Sequence, residues 1–260
     1  MRFTKMHGLG NDYLYIYGAP LAPEAIRRLS DRHFGAGADG MIFIELSKVA
    51  DFKMRIFNAD GSEAQMCGNG IRCVGKYVYD KGYMKKTHLT IETLAGVRSL
   101  ELLTENGEVT RVTVDMGRAE TQPEQTISAD GERVTCTPVS VGNPHAVVFV
   151  EDAETAPVEL LGPSVEHHPS FPEGVNVEFV QPLGENVLRM RVWERGSGVT
   201  MACGTGACAA AAAAIRKGFC RAGQPVEVRL DGGTLLVSVA TDGAVTMTGP
   251  AVTVYEGETV

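Results

Sequence analysis

Hydrophobic residues along this chain gather in short runs rich in β-branched and aromatic side chains, separated by polar, glycine-bearing turns. DYLYIYG (12–18), GMIFIEL (40–46), FKMRIFN (52–58), HLTIETL (88–94) and RVTVDM (111–116) carry that pattern, and each predicts a β-strand. HAVVFVE (145–151), VNVEFVQ (175–181), VLRMRVWE (187–194) and, near the end, AVTVYEG (251–257) extend it. Helical stretches are fewer. Pro23 to His33 opens with proline and glutamate, as helices often do, and two further helices are expected after the phrases CGNG and CGTG.

The order of these elements occurs twice. Shifted by 136 positions, MRIFNADGSEAQMCGNG (54–70) lies on MRVWERGSGVTMACGTG (190–206) without a gap, so Met54, Arg55, Cys67, Gly68 and Gly70 meet identical residues. Shifted by 132, Gly10-Asn11 before one strand lies on Gly142-Asn143 before another. A repeated succession of GN-strand, MR-strand, loop and CG-helix predicts two copies of one α/β unit.

The remaining composition narrows the chemistry. A chain of 260 residues, 44% hydrophobic and 22% charged, has room for one large or two modest domains with real cores. A net charge of −8, with no basic cluster beyond Lys85-Lys86, argues against a nucleic-acid partner. The longest apolar run, Ala207 to Ile215, is too short to cross a bilayer, and the N-terminus lacks a secretory apolar region. A cytoplasmic protein acting on a small molecule is expected. In that reducing setting the six cysteines read as reactive groups, metal ligands or buried apolar residues before disulfides. Metal fits poorly: there is no CxxC, and on a helix Cys67 and Cys73 stand about 240° apart and Cys203 and Cys208 about 140° apart. No metal and no cofactor are expected.

Cys67 and Cys203 each stand directly before Gly-x-Gly at a helix start. There the helix dipole and unpaired N–H groups are expected to favour thiolate and lower the thiol pKa. The adjoining glycines let backbone amides approach a carboxylate. Two such arrangements facing one carbon from opposite sides would invert it: one sulfur removes the α-proton while the other delivers a proton to the opposite face. Cys73, Cys136, Cys208 and Cys220 read instead as small buried apolar residues.

The phrases NADGSEAQMCGNGIRC, VGNPHA, GVNVEF and ERGSGVTMACGTGACA, with MHGLGNDY near the start, together resemble the diaminopimelate epimerase family over nearly the whole chain. The resemblance implies an α/β (α+β) fold of two pseudo-symmetric domains, each a mixed sheet curled around a central helix. It implies boundaries of 1–115 plus 249–260 and 116–248. It further implies a homodimer that converts LL-diaminopimelate to the meso form, in lysine and peptidoglycan-precursor synthesis, without pyridoxal phosphate or metal. By resemblance Cys67 and Cys203 are the acid/base pair, and His145 and Glu194 tune and hold the site, Glu194 also meeting the α-ammonium. Gly68-Asn69 and Gly204-Thr205 supply carboxylate donors, and Asn11, Asn58, Asn143, Asn176 and Arg195 bind substrate.

One position departs from the family pattern: Gly40 stands where many members carry glutamine, so a backbone or water contact would replace that side chain. Taken alone, His145 reads equally as a structural histidine, Asn11 and Asn143 as turn residues, and Glu194-Arg195 as a solvated ion pair. Three other activities also fit parts of the pattern. They are racemisation of proline, hydroxyproline or histidine, silent amino-acid binding, and a hydrolase using one cysteine with His145, which leaves the second cysteine unexplained.

Overall fold

The strand-rich pattern is realised as nineteen strands and four helices among residues 1–259, the residues that the computed structural model describes. In chain order the first elements are β1 (Arg2–Gly8), β2 (Asn11–Tyr17), α1 (Pro23–Ser30), β3 (Gly40–Leu46), β4 (Phe52–Asn58), β5 (Glu63–Ala64), α2 (Gly68–Asp80), β6 (His88–Thr93), β7 (Gly96–Glu105) and β8 (Glu108–Arg118). There follow β9 (Glu120–Thr121), β10 (Gln125–Ala129), β11 (Glu132–Ser140), β12 (Pro144–Phe149), α3 (Val158–Glu166), β13 (Asn176–Gly184) and β14 (Val187–Glu194). The last are β15 (Gly198–Val199), α4 (Gly204–Arg216), β16 (Pro225–Leu230), β17 (Gly233–Val239), β18 (Ala244–Pro250) and β19 (Val252–Glu258). Two compact units result: Met1–Asp115 with the segment that begins at Thr248, and Met116–Met247.

In the first unit β1 lies between β19 and β2, both antiparallel to it. Pairing continues parallel from β2 to β3, antiparallel to β4, parallel to β6, then antiparallel through β7 to β8. Helix α2 touches β1 and β2 near one end of that order and β7 near the other, so the sheet curls around it. Every residue from Gly68 to Val78 is consequently buried, Arg72 and Lys76 included. Their charges are matched by nearby oxygens: Arg72 donates to the carbonyls of Gly68 and Pro250 and to Asn69 Oδ1, and Lys76 to Asp80 Oδ2 and the Val109 carbonyl. Helix α1 covers the other face of the sheet through Ile26 and Leu29, packed with Leu14, Met41 and Phe43.

The second unit repeats the plan with the same registers. His145 opposes Asn176 in the parallel pair β12·β13 as Tyr13 opposes Gly40 in β2·β3. Val177 opposes Trp193 as Met41 opposes Phe57. The central helix is now α4, whose alanines from Ala207 to Ala214 are all buried against strands that include β11, β12, β13 and β17. Short side chains here let the surrounding strands approach the helix closely. The mixed, curled, twice-repeated architecture is the one implied by the sequence.

Candidate active site

Each of the two Gly-x-Gly cysteines is the residue that caps its helix. Cys67 is extended (φ −136°, ψ 118°) and its Sγ accepts the Gly70 N–H at 3.3 Å. Cys203 is extended (φ −111°, ψ 111°) and its Sγ accepts the Gly206 N–H at 3.4 Å. A thiol thus takes the place of the hydroxyl or carboxylate that usually receives this orphan amide. A side chain at the third residue would be crowded by its neighbours in both units. A Cβ on Gly70 would lie 2.6 Å from Ile42 Cδ1, and one on Gly206 would lie 2.7 Å from Glu178 Oε1.

In the first unit a tight hairpin delivers Asn11. Leu9 and Gly10 have φ of 59° and 86°, the left-handed pair such a turn requires, and β2 begins at the next residue. Cys67 Sγ donates to Asn11 Oδ1 at 3.2 Å, while Asn11 Nδ2 donates to Asp39 Oδ2 at 2.8 Å. Asp39 also accepts the Asp12 N–H and Arg32 Nη2. Burial, followed by the charge of Cys67, drives the Tyr13 pKa upward, so it remains a neutral phenol. The first turn of α2, Gly68 and Asn69, is buried, with Asn69 Oδ1 receiving Arg72. Asn58 stands apart from this group: it is exposed and donates to Ser62 Oγ at 3.1 Å across its own turn. At Gly40 a Cβ would fall 2.0 Å from the Phe57 carbonyl oxygen, so β4 lies where a side chain would have to begin.

The second unit gathers more ionisable groups. Around Cys203 stand Glu194, whose carboxylate receives the Thr200 hydroxyl, and Thr205, 3.6 Å from Sγ. Gly204 begins α4 beneath them and is buried. Asn143 donates to Thr205 Oγ1 at 3.2 Å, and His145 links Asn143 Oδ1 (3.0 Å) to Glu178 Oε1 (2.6 Å) through its two ring nitrogens. Asn176 is a suture, donating to the Pro144 carbonyl and accepting the Arg195 N–H. The Arg195 side chain is exposed and donates to the Glu173 carbonyl at 2.9 Å.

Ionisation at Cys203 runs against the expectation drawn from its helix. Burial, then the carboxylates of Glu194 and Glu178, push this thiol well above its ordinary pKa, and the Thr205 hydroxyl and Gly206 amide offset only part of that. One helix end cannot outweigh burial beside two acids. Burial also raises Glu194, with Glu178 adding to it and Thr200, Cys203 and His145 opposing it. The cysteines read as apolar fit that description: Cys73, Cys136, Cys208 and Cys220 are buried.

Glu178, Asp39 and Tyr13 are the neighbours that the motifs did not single out. A signal was present for Glu178, the one charged residue inside the apolar run VNVEFV. The 136-residue shift places Ile42 on Glu178, and the 132-residue shift places Tyr13 on His145 and Asn11 on Asn143. Both units therefore share the capping cysteine and the asparagine, but only the second adds a buried imidazole and carboxylate. Among the described residues no three His, Cys, Asp or Glu side chains are arranged to hold a metal ion, and no helix is long and apolar enough to cross a membrane.

Comparison with known proteins covers both units. A family model described as diaminopimelate epimerase matches residues 3–122 and 137–254. A diaminopimelate epimerase of Methanococcus maripaludis is 50% identical over 276 aligned positions covering 99% of each chain. One from Phocaeicola vulgatus is 51% identical over 275, covering 99% of this chain and 98% of that one. Among solved structures, a probable proline racemase from Agrobacterium radiobacter superimposes with a TM-score of 0.75 at 19% identity, covering 100% of this chain and 92% of the other. A hydroxyproline epimerase from Agrobacterium vitis does so with a TM-score of 0.73 at 20% identity, covering 99% and 91%. These last two likenesses are of fold.

Proposed function

Because the chain belongs to the diaminopimelate epimerase family, we propose that it inverts the α-carbon of LL-diaminopimelate to give the meso form, using Cys67 and Cys203 as acid and base. The observation that carries this reading is the duplicated cap: a thiol at a helix entrance, held by the amide of the third residue and followed by glycine, once in each unit. One sulfur takes the α-proton as the other delivers a proton to the opposite face, and the roles exchange for the reverse reaction. The raised pKa of Cys203 keeps that thiol loaded when it acts as the donor.

As the α-proton leaves, charge moves onto the substrate carboxylate. The amides of Gly68-Asn69 and Gly204-Thr205 are suited to receive it, since donors already in place cost no reorganisation. Glu194 would face the α-ammonium, with His145 supporting it, while Asn11, Asn58, Asn143, Asn176 and Arg195 would hold the remainder of the substrate. No metal or pyridoxal group has a part in these steps. The division at residues 115 and 248, action as a homodimer and a cytoplasmic place in lysine and peptidoglycan-precursor synthesis belong to the same proposal.

The test is isotopic. In D2O, LL-diaminopimelate should acquire deuterium at the α-carbon as it inverts, in preference to proline and trans-4-hydroxyproline. Cys67→Ala and Cys203→Ala should each lower inversion by roughly 10²–10⁴-fold, the range of a lost general acid or base. Inversion that survives in both variants would refute the two-thiol reading, and faster turnover of a proline would refute the substrate.

A further inference from the structure

Glu178 is a carboxylate inside a strand with no exposed side-chain surface, and its Oε2 has no hydrogen-bond partner. A buried acid so placed is costly, and its one strong contact, Oε1 to His145 Nδ1 at 2.6 Å, begins a chain. His145 Nε2 lies 3.0 Å from Asn143 Oδ1, Asn143 Nδ2 donates to Thr205 Oγ1 at 3.2 Å, and Thr205 Oγ1 lies 3.6 Å from Cys203 Sγ. We propose that Glu178 is a positioning residue for Cys203, acting by fixing the direction of this hydrogen-bond chain. The proposal rests on the reading of Cys203 as an acid/base thiol.

The direction follows from what each group can give and take. Asn143 turns its oxygen to His145 Nε2, so that nitrogen carries a hydrogen, and the Glu178 carboxyl group holds the imidazole in this orientation through Nδ1. The amide N–H₂ of Asn143 is then left facing Thr205. Because the hydroxyl oxygen accepts from Asn143, its own hydrogen is available to sulfur. The chain therefore ends in a donor at Cys203, beside the Gly206 N–H, and both donors favour the thiolate left after Cys203 has given up its proton.

The first unit shows the opposite outcome on the same scaffold. There Asp39 accepts the N–H₂ of Asn11, the counterpart of Asn143, and so turns the amide oxygen toward Cys67. A carboxylate reached through the amide nitrogen presents an acceptor to sulfur; one reached through an imidazole whose Nε2 hydrogen faces the amide oxygen presents a donor. The two halves are thereby polarised in opposite senses.

The titratable groups facing Cys203 within its unit are Glu194, Glu178 and His145. Glu178 acts on Cys203 twice, with opposite signs: its charge opposes the thiolate directly, and its chain supports it. That separates a positioning role from mere proximity. In full-length protein labelled with [3-13C]cysteine, the Cys203 Cβ resonance, assigned by its loss in Cys203→Ala, reports the thiol titration without requiring turnover.

Thr205→Val should raise the Cys203 midpoint by about one pH unit, the effect of one hydrogen bond to a charged group, and Thr205→Ser should restore it. Glu178→Gln should lower the midpoint in the Thr205→Val background, where only the charge is lost. With Thr205 present the fall should be smaller by about one unit, because loss of the directed chain opposes it. Equal falls in the two backgrounds, or a serine variant that behaves like valine, would overturn the proposal. If Glu178→Gln does not fold, the Thr205 pair alone decides. Absence of α-deuteration with this coupling intact would refute the epimerase reading and leave the positioning role standing.

Discussion

At Gly206 there is no room for a methyl group, and the reason differs from that at Gly70. Both glycines give their amide to a capping sulfur, yet a Cβ at position 70 would meet the terminal methyl of Ile42, whereas one at 206 would meet Glu178 Oε1 at 2.7 Å and Cys203 Sγ at 3.2 Å. A methyl can rotate aside. The Glu178 oxygen is held 2.6 Å from His145, so displacing it strains the pair that orders Asn143 and Thr205. Gly206→Ala is therefore expected to destabilise by about 1–3 kcal/mol, the usual cost of overpacking, and to lower kcat at least tenfold, which corresponds to about 1.4 kcal/mol. Gly70→Ala should retain more activity than Gly206→Ala when the two are assayed side by side. A reversed order would mean that the His145–Glu178 pair is not what makes the position intolerant.

Helix α3 shows how an element without a local signature can still position chemistry. It forms despite Pro163 within it, with no side-chain cap, because Val158, Leu161 and Val165 bury one stripe against the sheet. Gly162 brings it onto Trp193: a Cβ there would lie 2.5 Å from the indole. Glu166 then clamps the end of β14, accepting the Trp193 indole N–H at 2.6 Å and the Gly196 N–H at 2.9 Å, which brackets Glu194. Gly162→Ala should therefore lower Tm, red-shift the emission of the chain's single tryptophan and reduce activity together. An unchanged emission maximum would show that α3 does not hold this strand. The same helix marks where sequence reading stops. The strands from DYLYIYG to VLRMRVWE, and the helices behind both cysteines, were legible because apolar runs and the repeat declare them. A stretch reading LLGPSVE suggests a turn, and only packing reverses that. Helix α1 likewise ends at Ser30, not at the expected His33, because the Asp31 carboxylate takes the N–H groups of His33 and Phe34. At the site, capping thiols could be read from Gly-x-Gly, whereas the rise in Cys203 comes from burial and then from Glu194 and Glu178, which the packing of β13 and β14 against α4 brings to it.

The two units should respond to acid in opposite ways. Carboxylates held below their ordinary range, Asp12, Asp31, Asp51, Asp60, Glu63 and Glu92, all lie in the first unit; the second has Asp242. Several are exposed and contribute little, but Asp12 is mostly buried: burial raises it, and Arg32 and Lys5 together more than reverse that. An acid with a depressed folded pKa contributes stability that is present above its unfolded value, about 3.9, and is lost as pH falls through the folded one. Glu194 in the second unit has the opposite sign. Its folded pKa is raised by burial and by Glu178, so stability declines as pH rises through the ordinary carboxyl range, and acid relieves that loss. Burial raises one cysteine in each unit to about 11, Cys73 in the first and Cys136 in the second. In hydrogen exchange followed by mass spectrometry at pH 3 and pH 6, peptides of the first unit should lose protection before those of the second, and Asp12→Asn should flatten that acid dependence. If the second unit opens first, or Asp12→Asn leaves the slope untouched, the Lys5–Asp12–Arg32 cluster is not what sets the acid limit of this protein.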